Sequence, residues 1–488
     1  MATIVSNLTT ITDCESTTGF TANAAILDSD LIKEGTYSVG ATIKSNTTEM
    51  YYTFASLDLT GETIRFWFNT INFPYMNTKA LGGMRVRVTS SSGIAYWNIH
   101  GKDTYNGGWV NVIVDMGSTP DSGTLDASTV TAIGISQNLP GAPKNVTNTW
   151  MDYIRYGDGL TVYGTPEFSI EEVYQDDLSN GYGIVDKIGG VYYLKGSIII
   201  GDSSGTNATI YNDENKVLVF ADEIVSNTLY KIQVVGNATG DTAVTFKDCV
   251  ITSANPLFDL DFDDAAVESV TITGCQISSA DEILLDVNCT VETSVFNGCG
   301  LITPEAATVE DTTISNPSGS IALTYPDLVA DDNMARLTFI EGTYAIEITT
   351  DVDHTFDGHK FSGTWTAHVH NSSGASIIVY ATNGSDASTY TGTTDIQNSV
   401  TVTLTGVVEG SEISVQRAGT LTVESYVASS AANGEFAYTF NSPPSGFTNV
   451  DIFIVKQGYE WYPIYNYPLP TTSASLPVSQ EADRNYIS

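Results

Sequence analysis

The chain has 488 residues, with 57 Asp or Glu against 19 Lys or Arg, giving a formal net charge of −38. So few cations exclude nucleic-acid binding as a main role, because the chain repels phosphate and has no basic stripe to follow it. An apolar fraction of 42 % excludes disorder, since that much apolar surface can bury a core, and the length predicts roughly three domains at about 150 residues each.

The first residues, Met1 to Asn7, carry no basic cluster and no apolar run. They therefore read as lacking a classical signal peptide. No stretch approaches the roughly 18 apolar residues of a membrane span. Five cysteines, Cys14, Cys249, Cys275, Cys289 and Cys299, are too few for a disulfide scaffold and lack metal-site spacing. The Asn-X-Ser/Thr sequons at Asn46, Asn207 and Asn237 read as chance in a chain rich in these residues.

Val, Ile, Thr and Tyr alternate with polar residues, as in Arg85-Val86-Arg87-Val88 and Thr401-Val402-Thr403-Leu404, between Gly, Asn, Asp and Ser clusters. This pattern predicts an all-β protein with almost no helix. Residues 1–163 carry aromatic-rich strands at Met50–Phe54, Ile64–Phe68, Ala95–Ile99, Trp109–Val114 and Trp150–Ile154, the spacing of a two-sheet sandwich. Residues 164–365 carry shorter strands in a coarse repeat. Val244–Ile251 aligns with Val270–Ile277 and with Ser294–Leu301, so that Cys249, Cys275 and Cys299 fall 26 and then 24 residues apart. That period predicts a right-handed parallel β-helix. Equivalent positions then stack about 4.8 Å apart, and the three cysteines form an inward ladder of reduced thiols rather than inter-rung disulfides. Residues 366–467 read as a second sandwich, with strands at Ala375–Tyr380, Val400–Thr405, Glu412–Gln416 and Val450–Val455. Residues 468–488 read either as a frayed terminus or as an extended arm on a neighbouring chain.

Three groups could carry chemistry. His368 and His370 lie two apart on a predicted strand and so share a face. They read either as surface histidines or as ligands which, in three copies about a threefold axis, offer six nitrogens to a transition metal. Asp259, Asp261 and Asp263 alternate on a strand, with Asp264 and Glu268 nearby. They read as a solvated face, as a Ca²⁺ site, or as an acid/base pair acting on a sugar. Tyr96, Trp97, Tyr105 and Trp109 read as sandwich core or as flat platforms for sugar rings.

Gly35-Thr36-Tyr37-Ser38-Val39, Asp103–Trp109 and Trp150–Gly157 resemble stretches of the concanavalin-like jelly rolls found in glycan-binding modules and tailed-phage virion proteins. The order of jelly-roll, β-helix, sandwich and arm resembles the architecture of tailed-bacteriophage appendages: head fibres, capsid-decorating proteins, tail fibres and tailspikes. The resemblance implies a homotrimeric, non-enzymatic virion protein assembled in a host cytoplasm. Its implied partners are other virion proteins and host glycan, with neither nucleic acid nor membrane. It implies no resident cofactor beyond the metal or Ca²⁺ readings above. The alternative it carries is a tailspike depolymerase that cleaves host polysaccharide.

Overall fold

The computed structural model describes residues 3–484 apart from 43–45, 106, 143–146, 206–207, 222–229, 237–241, 254–257, 287, 327–332, 433, 443–446 and 471–472. The sequons at Asn207 and Asn237, and the last four residues of the C-terminal arm, lie outside the described residues. The chain forms two compact units, Met1–Thr308 with Pro317–Gly319, and Val309–Asn316 with Ser320–Ser488.

The first unit opens with the expected sandwich of two six-stranded antiparallel sheets. One sheet orders its strands Val110–Asp115, Thr63–Thr70, Thr147–Tyr156, Ser38–Thr42 and Ile26–Asp28, with Thr9–Thr12 also on Thr147–Tyr156. The other orders Ser122–Gly123, Gly93–His100, Met84–Ser90, Val130–Asn138, Thr47–Leu57 and Phe20–Ala22. Alternation turns Phe66, Phe68, Val86, Val88, Trp97, Val112 and Ile133 into one apolar core between them.

A three-faced parallel solenoid follows, and its first strand, Gly159–Tyr163, starts inside the predicted sandwich. That strand pairs antiparallel with Thr3–Ser6 on one side and parallel with Ser197–Ile200 on the other. The same face continues through Tyr230–Val234, Phe258–Phe262, Glu282–Leu285 and Leu301–Thr303. Its inward residues form a register-matched ladder of Leu160, Ile198, Ile232, Leu260, Ile283 and Ile302, all buried. Such a ladder explains why a solenoid strand needs only one apolar residue in two. Cys249, Cys275 and Cys299 are buried free thiols, but the predicted ladder is corrected: Cys249 and Cys275 turn the same corner, Ser294 takes the next place beside Cys275, and Cys299 sits one corner later, between Val295–Asn297 and Leu301–Thr303. The Cys249 and Cys275 thiols donate to the backbone carbonyls of Asp213 (3.2 Å) and Phe246 (3.3 Å).

One helix departs from the all-β expectation: α1, Ile170–Asn180, lies beside the strand Val185–Ile188. Ser169 and Glu172 form a complete capping box, and Ile170, Val173 and Asp177 face inward. The S-x-x-E spacing is the usual signature of a helix start, and the short apolar stripe is what hid it among strands.

The second unit has parallel rungs of the same kind. Ala367–Asn371 pairs parallel with Tyr344–Ile348, and Ile377–Thr382 pairs parallel with His354–Asp357. Solenoid pairing therefore persists beyond residue 365, where the sequence placed a sandwich. Thr394–Thr405 makes the change. It pairs parallel with Ile377–Thr382 over Thr394–Asn398 and antiparallel with Glu435–Ser442 from Asn398 to Thr405. A four-stranded antiparallel sheet of Val423–Val427, Glu412–Arg417, Asn449–Val455 and Tyr462–Pro468 completes the C-terminal core around Val402, Leu404, Ile413, Val415 and Ile452. The arm is neither frayed nor free: Ala474–Pro477 adds as a parallel strand on Thr394–Thr405, and Val478 is buried. No helix among the described residues is long and apolar enough to cross a membrane.

Candidate active site

The strand Phe258–Phe262 alternates strictly. Phe258, Leu260 and Phe262 point into the solenoid, which leaves Asp259 and Asp261 on the outer face. Parallel register then chooses their neighbours. Lys231 and Gln233 lie opposite Asp259 and Asp261 on one side, and Glu282 and Leu284 on the other.

The three carboxyls live in different surroundings. Asp261 Oδ2 accepts from Lys231 Nζ at 2.7 Å and from Gln233 Nε2 at 2.9 Å. The Asp261 side chain is only 13 % exposed, so this cation is not simply solvated away. Asp259 accepts the Glu282 backbone N–H at 3.1 Å. Burial, helped by the charges of Glu282, Asp281 and Asp261, nevertheless pushes its pKa to about 6. Asp263 is also pushed to about 6, first by a hydrogen bond to Asp261, then by burial and by the charges of Asp261 and Glu305. One face therefore presents a cation-paired carboxylate between two carboxyls that hold their protons to unusually high pH. Environments that separate like groups in this way are those that divide acid from base in catalysis. Asp259 and Asp261 are two residues apart on a strand, a Cα separation of about 6.6 Å.

The rest of the acidic run does not join them. Asp264 ties down a turn, accepting the N–H groups of Gly236 and Ala266 at 2.9 Å each. Glu268 is exposed beyond that turn, and its N–H bonds the carbonyl of Thr242. Among the described residues no group of three or more His, Cys, Asp or Glu side chains converges on a metal position, so the Ca²⁺ reading finds no cage here.

Two of the four predicted sugar platforms are corrected. Trp97 is fully buried in the sandwich core, opposite Val86. Tyr105 is buried too, donating to the carbonyl of Gly108 at 2.5 Å, with burial pushing its pKa to about 12. Both rings are buried within the sandwich core, where no sugar can reach them. Tyr96 faces outward but is covered by Arg85, 4.2 Å above its ring, and its hydroxyl donates to Glu49 at 3.1 Å. Trp109 is half-buried and lines a cleft with Trp67 and Tyr174.

His368 and His370 share the outer face of Ala367–Asn371, as expected. His368 stacks on Phe361 at 4.4 Å and His370 on Tyr344 at 4.5 Å. His368 Nδ1 accepts the Ser388 N–H at 3.2 Å, which places any proton of the neutral ring on Nε2. Burial lowers the His368 pKa.

No protein-family model matches the sequence, and no curated protein matches it either. Solved structures match in part. A family 11 carbohydrate-binding module of a cellulosomal cellulase of Clostridium thermocellum is 14 % identical over 31 % of this chain and 95 % of its own, with a TM-score of 0.21. The catalytic domain of a GH87 alpha-1,3-glucanase is 8 % identical over 87 % of this chain and 78 % of its own, with a TM-score of 0.22. The catalytic unit of a GH87 alpha-1,3-glucanase of Streptomyces thermodiastaticus is 10 % identical over 78 % of this chain and 95 % of its own, with a TM-score of 0.18. At these TM-scores the likenesses assign neither a substrate nor a residue. The expectation of a non-enzymatic chain is corrected to this extent: four of the matches, each spanning 78 to 87 % of this chain, are catalytic domains, and that expectation is not carried forward.

Proposed function

We propose that the protein binds and cleaves a polysaccharide on the outer face of its first solenoid, the alternative reading of the sequence. The observation that carries this is the placing of Asp259 and Asp261 on one outer strand face with Asp263 just past its end: Asp259 and Asp263 are pushed to a pKa of about 6, and Asp261 is paired with Lys231. Asp259 keeps its proton and gives it to the glycosidic oxygen as the bond to the anomeric carbon breaks. Asp261, held by Lys231 and Gln233, takes a proton from the water that attacks that carbon. Asp263 lends its hydrogen bond to Asp261 and keeps a second proton in reach. Positioned acid–base transfer of this kind is worth roughly 10²–10⁴-fold in rate.

The test is reducing-end release from a panel of glucans and bacterial surface polysaccharides, comparing wild type with Asp261→Asn. The variant keeps the shape and the Gln233 contact and loses the base. It is expected to fall by at least about 10²-fold on the substrate that wild type cleaves. Equal turnover in the two proteins would remove Asp261 from the mechanism, and no release from any member of the panel would remove the activity.

A further inference from the structure

A cleft of about 270 Å³ lies in the first unit between the sandwich and helix α1. Three aromatic side chains line it: Trp67 and Trp109 from the sandwich, and Tyr174 from α1. Lys33, Lys195, Asp186 and Asp177 are its charged side chains, and the Asp177 carboxylate is committed to the N–H groups of Gly183, Ile184 and Val185.

The walls are built rather than incidental. Trp67 is pinned by its edge, Nε1 donating to Glu34 Oε1 at 2.6 Å and to the carbonyl of Gly181 at 3.1 Å. The Lys33 ammonium sits 4.3 Å from the centre of the Trp67 ring. Its acidic neighbour Glu34 is committed to the Arg155 guanidinium and to Trp67. Lys195 Nζ stands 3.6 Å from Asp186, which is half exposed, so this pair is loose and readily re-formed with another anion. The chain has only 19 cationic side chains in 488 residues, and two of them line this one cleft. Its volume falls just below the ~300 Å³ at which pockets for drug-sized ligands begin, the scale of a sugar unit rather than of a peptide segment. Flat aromatic faces with polar edges suit a pyranose ring, and two ammonium groups suit a carboxylate.

We propose that this cleft binds an acidic sugar residue, a uronate of the polysaccharide, stacked against Trp109 with its carboxylate toward Lys33 and Lys195. This rests on the polysaccharide reading above and adds to it that the substrate is anionic. It also gives the protein a holding site apart from the carboxylate face.

The probes are a glucuronate-containing tetrasaccharide and its carboxyl-reduced counterpart, followed by calorimetry on the full chain. The acidic probe is expected to bind at least about tenfold more tightly than the reduced one, the loss of one charge-assisted hydrogen bond. Lys33→Gln and Trp109→Ala are each expected to weaken it by a similar factor. Lys33→Gln removes a partly exposed charge without touching the core, so it reads out binding even if Trp109→Ala folds poorly. Equal affinity for the two probes, no binding of either, or no effect of Lys33→Gln would overturn the proposal. Binding that depends on Lys33 without any hydrolysis would keep the cleft and remove the active site. Hydrolysis without Lys33-dependent binding would do the reverse.

Discussion

Asp152 lies on the strand Thr147–Tyr156, fully buried, with Oδ2 accepting the N–H groups of Lys33 and Glu34 at 2.9 and 3.0 Å. Burial outweighs those bonds and pushes its pKa to about 7, against roughly 3.9 in an unfolded chain. Between those values the folded protein binds a proton that the unfolded chain has released. The contribution to stability is therefore whole below about pH 4 and is lost as pH rises through about 7. Asp152→Asn keeps the acceptor oxygen and removes the ionisation. Relative to wild type, its melting temperature is expected to improve steadily from pH 4 to pH 8. Thermal melts of both proteins at the two pH values check this, and a constant offset would contradict it. At this scale the alternation of Asp259, Asp261 and Asp263 was legible, because period-2 placement is a property of the strand alone. Lys231, Gln233 and Glu282 were not. They meet the aspartates through rung register, and Lys231 precedes Asp259 by 28 residues while Glu282 follows it by 23. No fixed repeat length brings all three into line.

Along the solenoid, one corner recurs. Asn215, Asp248, Gly274 and Thr293 each follow a strand of one parallel sheet, Thr209–Glu214, Thr242–Lys247, Ser269–Thr273 and Cys289–Glu292, and each take a positive φ, between 50° and 67°. The first three pass their N–H groups to the carbonyls of Lys247, Thr273 and Glu292 on the next rung. Asn, Asp and Gly tolerate that left-handed conformation, and β-branched residues resist it. At Gly274 a Cβ would also meet Asp248 Oδ1 at 2.4 Å. Gly274→Val is therefore expected to cost about 1–3 kcal/mol, and Gly274→Asn less. Urea unfolding of the two variants measures the difference, and equal losses would contradict the conformational account. On the inward side, Ile277 stacks between Ile251 and Phe296. Ile277→Ala is expected to lose about 2–5 kcal/mol by the same measurement, and a loss below about 1 kcal/mol would show the ladder to be loosely packed. The repeat betrayed itself through Cys249 and Cys275, whose 26-residue spacing marks this corner, whereas Cys299, 24 residues further on, falls on the next corner of its rung, where Ser294 holds the equivalent place. The end of the solenoid did not, since a strand such as Ile377–Thr382 alternates in the same way whether its partner runs parallel or antiparallel. Pairing direction is fixed by the whole rung.

For the molecule as a whole, the acidic composition keeps like molecules apart in solution, while the C-terminal unit exposes an apolar patch that works against that. Trp461, Tyr465, Tyr426 and Val455 are 59 %, 62 %, 56 % and 46 % exposed, and Trp461 and Tyr465 both pack against Phe453. Patches of this kind mark interaction sites, and we propose the homotrimer read from the sequence as the assembly that covers it. Light scattering is expected to give three times 52.2 kDa. A mass of 52.2 kDa would contradict the trimer, and with it any threefold metal site at His368 and His370. The central claim, however, is the chemistry of the carboxylate face, and its pH–rate profile tests that most directly. Reducing-end release by wild type is expected to decline as pH rises through about 6, where Asp259 and Asp263 lose their protons, with Asp261→Asn near background throughout. A wild-type rate that holds constant from pH 5 to 8, or one that Asp261→Asn reproduces, would contradict the account.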